Sequence, residues 1–164
     1  MATQVQFRRG TTSQHGSFTG AVGEVTVDTD KDTVVVHDGS QAGGFAIPNL
    51  KTAQEFTKTQ NFNATTLSDA STIAWDASSN QVAKVTLGGN RTLGAATNQV
   101  DGAVYVLTVI QDGTGGRTLS FNSNYKFTGG TAPTLTTTAS ATDILVFLSN
   151  GTNMQEIGRS LNVS

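Results

Sequence analysis

Three aspartates at alternate positions, Asp28, Asp30 and Asp32, have the one-three-five spacing with which the carboxylates of a tight loop converge on a hard cation such as calcium. The rest of such a loop is missing. Thr33 stands where the glycine of the sharp turn belongs and Gly39 where the bidentate glutamate belongs, so the aspartates read as residues of a solvated hairpin turn. Gly113-Thr114-Gly115-Gly116-Arg117-Thr118 has the glycines that let backbone amides approach an anion. It lacks the Lys-Ser/Thr ending and the following helix of a phosphate-binding loop, and reads as a hairpin turn joining the strands around Ile110 and Leu119. His15 and His37 are the only histidines, and Ser13, Ser17 and Asp38 lie near them in sequence. These are residue types a hydrolase uses, yet no nucleophile elbow and no paired carboxylates accompany them, so no catalytic residue is assigned. A different use of His37 stays open: one imidazole from each of three chains around an axis would make a three-nitrogen metal site. No cofactor is expected.

Two aromatic residues could hold a sugar by stacking, Trp75 and Tyr125. In Thr72-Ile73-Ala74-Trp75-Asp76 the alternation puts Trp75 on the face of Ile73, which favours the core. Tyr125, between Asn124 and Lys126, is the more open and is the candidate ligand contact. The Asn-x-Ser/Thr sequences at Asn63, Asn90, Asn150 and Asn162 matter only in a secretory pathway.

The elements that position these residues are strands. Charged residues make up 13% of the 164, and Thr, Ser, Asn and Gly take their place; an ordinary domain has about 25% charged residues. The net charge is −2 with the basic residues scattered, which leaves no electrostatic footprint for nucleic acid or an anionic membrane. There is no cysteine, so stability must come from packing and assembly. No apolar stretch at the start resembles a secretory leader, and no run approaches the length of a membrane-spanning helix.

Alternation in Glu24-Val25-Thr26-Val27-Asp28, a polar turn, and Val34-Val35-Val36 give a hairpin. Asp38-Gly39 and Gly43-Gly44 then punctuate the chain before Phe45-Ala46-Ile47-Pro48. A unit of fewer than fifty residues without disulfides or metal buries too little surface to stand alone comfortably. Its large apolar groups, Phe7, Phe18, Val25, Val27, Val35, Phe45 and Ile47, are therefore expected to share a core with other copies. Between 49 and 61 the chain is more polar and reads as a short helix or extended connector, in which Leu50, Ala53 and Phe56 at helical spacing could meet on an axis. From Phe62 onward, short β-type runs return between Gly-Gly, Asp-Gly, Asn-Gly and Ser-Asn turns, which argues for an antiparallel, jelly-roll-like sandwich. The runs 104–110 and 144–148 are apolar on both alternating faces, so they should be central strands covered on both sides.

Val5-Gln6-Phe7-Arg8-Arg9-Gly10-Thr11-Thr12, the hairpin 25–31, Val34-Val35-Val36-His37-Asp38-Gly39 and Gly43-Gly44-Phe45 together resemble the amino-terminal module of phage tail-fibre proteins of the major tropism determinant type. The resemblance implies a small β-prism built from three intertwined chains. The second half, in Asn80 to Leu93, Val109 to Leu119 and Tyr125 to Leu135, resembles a β-domain common in phage fibre and virion proteins. The expectation is an all-β, non-enzymatic virion protein assembled in the host cytoplasm. It divides into a trimerisation and docking module at 1–49, a connector at 50–61 and a sandwich domain at 62–164. Because the chain stops soon after that domain, the leading expectation is a homotrimeric capsid decoration, or cement, protein whose partners are major capsid proteins. The alternative is a short tail fibre or fibre adaptor that contacts tail proteins and a host surface glycan.

Overall fold

The computed structural model describes residues 6–48 and 59–163, and the chain divides into two compact units, Met1–Gln60 and Asn61–Ser164. Leu50 and the helical spacing read around it lie outside the described residues.

In the first unit Arg8–Gly10 forms β1, Thr12–Gly16 the short helix α1, Val25–Asp28 and Thr33–Val36 the hairpin β2 and β3, and Phe45–Ala46 the short β4. The sheet runs β1-β2-β3-β4, with β1 parallel to β2 and the other pairs antiparallel. The helix starts at a reciprocal cap: the Gln14 amide donates to the Thr11 hydroxyl oxygen at 3.2 Å and the Thr11 amide to Gln14 Oε1 at 2.8 Å. Asp28 builds the hairpin turn. Its carboxylate accepts the Asp30 and Lys31 amides at 3.0 and 3.2 Å and the Thr12 hydroxyl at 2.7 Å, which is the turn role read from the sequence. Burial works against the charged form of Asp28, but these hydrogen bonds and the Lys31 charge outweigh it and hold the carboxyl below the usual carboxylate range.

Among the described residues the second unit has nine strands: β5 Thr65–Thr66, β6 Thr72–Ile73, β7 Val82–Leu87, β8 Arg91–Leu93, β9 Val104–Gln111, β10 Leu119–Phe121, β11 Tyr125–Lys126, β12 Thr142–Ser149 and β13 Met154–Val163. Up to β10 the chain alternates between two sheets. β5, β7 and β9 lie side by side and parallel in one, while β6, β8 and β10 lie side by side and parallel in the other. The larger sheet is completed by β12 antiparallel to β9, β13 antiparallel to β12, and β11 parallel to β13, giving the order β11-β13-β12-β9-β7-β5.

This corrects the expected antiparallel arrangement, and the reason lies in the turns. Gly88-Gly89-Asn90 does not fold β8 back onto β7; it carries the chain around a corner into the opposite sheet. The expected hairpin between the Ile110 and Leu119 strands is likewise a corner, since β9 and β10 belong to different sheets. Asp112 sets its shape, accepting the Thr114 and Gly115 amides at 3.0 and 2.8 Å and pairing with Arg117 at 2.8 Å. Gly115 has φ of 72°, and a Cβ there would stand 2.6 Å from the Thr137 carbonyl oxygen, so only glycine fits.

One buried cluster joins the inward residues of both sheets: Ala83, Val85 and Leu87, then Tyr105, Leu107 and Val109, then Leu145 and Phe147, together with Ile73, Leu93 and Leu119 of the smaller sheet. Trp75 belongs to it, as its alternation with Ile73 indicated. β9 and β12 are central, as their two apolar faces required. Phe147 is fully buried, whereas Val146 beside it points away from the cluster and is half-buried. Phe147→Ala is expected to cost about 3–5 kcal/mol of unfolding free energy and Val146→Thr to cost about 1 kcal/mol or less, read by urea denaturation of the second unit. Equal losses would contradict the assignment of faces.

Candidate functional site

The amino-terminal sheet turns an unusual pair of faces inward and outward. Alternation sends Thr26, Asp28, Thr33 and Val35 to the face that is buried within the chain, and three of these four are polar. The opposite face carries Val25, Val27, Val34, Val36 and Phe45, which the register places side by side as Val25↔Val36, Val27↔Val34 and Val36↔Phe45. Val34, Val36 and Phe45 are 37%, 38% and 51% exposed. Among the described residues of the first unit this valine face stays open, with Val25 and Val27 half-buried.

The residues named from sequence as shared between copies separate accordingly. Val25, Val27 and Phe45 are on the open face, and Phe7 and Ile47 are also largely exposed. Val35 is not available to a neighbour: it points inward and is buried, and Val34 and Val36 take its place outside. Phe18 is half-buried, edge-on to the His37 ring with centroids 5.1 Å apart, and lies beneath the Arg8 guanidinium at 4.9 Å. Arg8 is also paired with Glu24 at 2.8 Å.

A closed hydrogen-bond relay explains the polar inner face. The Gly20 amide donates to His37 Nδ1 at 3.4 Å; His37 Nε2 and His15 Nε2 lie 2.9 and 2.8 Å from the one Thr26 hydroxyl; and His15 Nδ1 lies 3.0 Å from the Thr11 carbonyl. A carbonyl only accepts, so His15 Nδ1 carries a proton and its Nε2 accepts from Thr26, which in turn accepts from His37 Nε2–H. With both rings neutral every donor meets an acceptor. Gly20 and Gly44 flank His37 so closely that a Cβ at either would stand 2.5 and 2.7 Å from ring atoms. Sequence reasoning missed this relay, because its members are eleven residues apart twice over. The relay also corrects the three-imidazole reading: both His37 nitrogens are engaged inside their own chain and the ring is buried.

Tyr125 is corrected as well. It is buried, edge-on to Phe121 and Phe147 at 5.9 and 5.4 Å, and offers no ring face to a ligand. Its hydroxyl has no hydrogen-bond partner among the described residues, and burial pushes the phenol well above its ordinary range. Asn124 and Lys126 beside it are the residues that made the position look open, although in a strand the neighbours point the other way.

On the outer face of the six-stranded sheet the register aligns Val82, Val106 and Val146 in one row, flanked by Ile110, Ile144 and Leu148. All six are half-buried rather than covered. Both units thus present an apolar sheet face to the outside.

Two families match the chain. Residues 5–41 match the "Major tropism determinant N-terminal domain" and residues 50–154 the "Putative phage tail fibre C-terminal domain". The second match spans more than half of the chain, which belongs to that phage tail-fibre family. The tail fiber receptor-binding protein of Bordetella phage BPP-1 is 41% identical over 143 residues, covering 80% of this chain and 36% of that protein. The chain therefore spans about a third of the length of this curated relative. Among solved structures, the Major Tropism Determinant I1 variant is 69% identical over 27% of this chain and 12% of its own, with a TM-score of 0.27. The U1 variant is 29% identical over 93% of this chain and 42% of its own, with a TM-score of 0.30. The fold rests on the chain's own geometry. The matches favour the tail-fibre alternative over capsid decoration, which had rested on where the chain stops, and tail-fibre relatives mark the chain as a bacteriophage virion component.

Two measurements test this geometry. Thr26→Val removes the hydroxyl shared by both histidines and is expected to destabilise the first unit by about 1–3 kcal/mol for each orphaned ring nitrogen, read by hydrogen exchange of its amides. Unchanged protection would show that the relay is not formed. Tyr125→Phe removes only an unpartnered hydroxyl and should leave stability unchanged or raised. Because the folded-state phenol titrates above its ordinary value of 10.0, its contribution is present below that pH and is lost as pH rises beyond it. The difference in ultraviolet titration between wild type and Tyr125→Phe should therefore show Tyr125 ionising only with alkaline unfolding. Ionisation of Tyr125 near pH 10 in the folded protein would contradict the burial.

Proposed function

We propose that the chain works as a non-enzymatic, homotrimeric part of a phage tail fibre that presents a binding surface to the host cell. The observation that carries the reading is the open valine face of the amino-terminal sheet. Burying a valine-sized side chain is worth about 1.5–3 kcal/mol, so five such residues per chain make an association energy that a fifty-residue module lacks by itself. Three copies closing these faces on one axis would form the prism that the family resemblance implies. In this reading 1–49 is the trimerisation and docking module, with Phe7, Val25, Val27, Phe45 and Ile47 in the shared core and Leu50 at its end. Residues 50–61 connect it to the two-sheet domain at 62–164. The apolar outer row of the larger sheet suits the same symmetry.

The name of the relative in phage BPP-1, a receptor-binding tail fibre protein, supports a host-facing role, and the partners proposed are tail proteins at one end and a host surface glycan at the other. Assembly takes place in the host cytoplasm. Nothing in the buried histidines or turn-bound carboxylates provides a nucleophile and base side by side in a cleft, so binding without cleavage is the function assigned.

Sedimentation equilibrium at low micromolar concentration tests the assembly. The chain should sediment as a trimer, and Val27→Lys, which puts a charge into the closed face, should dissociate it while the second unit keeps its near-ultraviolet circular dichroism. A stable, folded wild-type monomer would overturn the reading.

A further inference from the structure

We propose that a groove at one end of the strand winding in the second unit binds an uncharged oligosaccharide; this deepens the host-surface reading above and rests on it. The parallel pairing of β5, β7 and β9 brings the starts of these strands to one edge of the sheet. The segments leading into them, around Phe62, Asn80 and Val100, enclose a groove of about 800 Å³, within the roughly 300–1,000 Å³ of small-molecule sites.

The floor is rigid. Tyr105 is buried there, edge-on to Trp75 with centroids 6.0 Å apart, and its hydroxyl accepts the Val100 amide at 3.0 Å. One wall is the Phe62 ring, 61% exposed. Around the rim stand Asn63, Ser79, Asn80 and Gln81. Two of their amides are fixed at one end and free at the other. Asn80 Oδ1 accepts the Val82 amide at 2.9 Å, leaving its Nδ2 without a partner among the described residues; Gln81 Nε2 donates to the Val104 carbonyl at 3.2 Å, leaving its Oε1 so.

Two features select the ligand class. Among the described residues no aspartate, glutamate, lysine, arginine or histidine lines the groove, so these residues offer no countercharge to a phosphate, an acidic sugar or a nucleic acid backbone. An exposed aromatic face among held amides and hydroxyls, which both donate and accept, complements a sugar ring with an apolar face and hydroxyls at its edge. A purely apolar ligand would leave the rim amides unpaired.

The test uses the full chain with maltoheptaose and chitotetraose as probes, followed by calorimetry and by the fluorescence of Trp75, the single tryptophan, which touches the groove floor. At least one probe should bind saturably, Phe62→Ala should weaken it tenfold or more, Asn63→Ala several-fold, and thermal unfolding should not change because both side chains are exposed. Absence of binding to both probes, or binding unaffected by Phe62→Ala, overturns the groove assignment. A fall in sedimentation mass on Phe62→Ala also overturns it, since a neighbouring copy would then occupy the groove. Adhesion to host cells separates this from the wider reading. If adhesion is lost after periodate oxidation of the cell surface but is the same for wild type and Phe62→Ala, the glycan reading stands and the groove fails; adhesion insensitive to periodate removes both.

Discussion

A β-strand has two faces, and a thin chain can hide only one of them inside its own core. How each unit uses the second face organises the whole protein. In the second unit the inward rows of β7, β9 and β12 close against Ile73, Leu93 and Leu119 in one buried cluster. In the first unit the inner face is mostly polar, held by Thr26 between two histidines and by Asp28 at its turn, and Val25, Val27, Val34 and Val36 are left outside. A chain that satisfies its polar groups inside and leaves its apolar groups outside has the pattern of one part of an assembly.

The alternation between sheets has a functional consequence through geometry. Because β5, β7 and β9 run the same way, their leading segments collect at one edge, and short polar loops that would be scattered in an antiparallel meander become neighbours. The corners are held by local charge pairs that serve the backbone. Asp69 grips the Arg91 guanidinium at 2.7 and 2.8 Å and accepts the Gly88 amide, and Asp112 does the same at its own corner with Arg117 and Gly115. Hydrogen bonding to these arginines holds both carboxyls below the usual carboxylate range. The amides of the glycine-rich loop that might have met an anion are already taken, those of Thr114 and Gly115 by Asp112, that of Gly116 by the Thr137 carbonyl and that of Arg117 by Gln111 Oε1.

Much of this was legible in the residues. The β2–β3 hairpin follows from the alternation of Val25 and Val27 and the aspartate turn, and the central places of β9 and β12 follow from strands apolar on both faces. Trp75 followed Ile73 into the core. What the sequence could not convey is where a strand goes after a turn: Gly88-Gly89-Asn90 marks a change of direction, but whether the next strand pairs with the last or crosses to the other sheet depends on contacts with Leu93 and Leu119, far along the chain. Tyr125 was misjudged for a related reason, since the polar residues on either side of it describe the opposite face of the strand. The groove beside Phe62 gave no linear signal because its members come from three separate segments.

The central claim is that the chain is part of a tail fibre, and its place on the particle tests that most directly. Gold-labelled antibody against the second unit, applied to intact virions and viewed by electron microscopy, should mark the tail with a small number of particles per virion. Labelling spread over the head in large copy number would contradict the account.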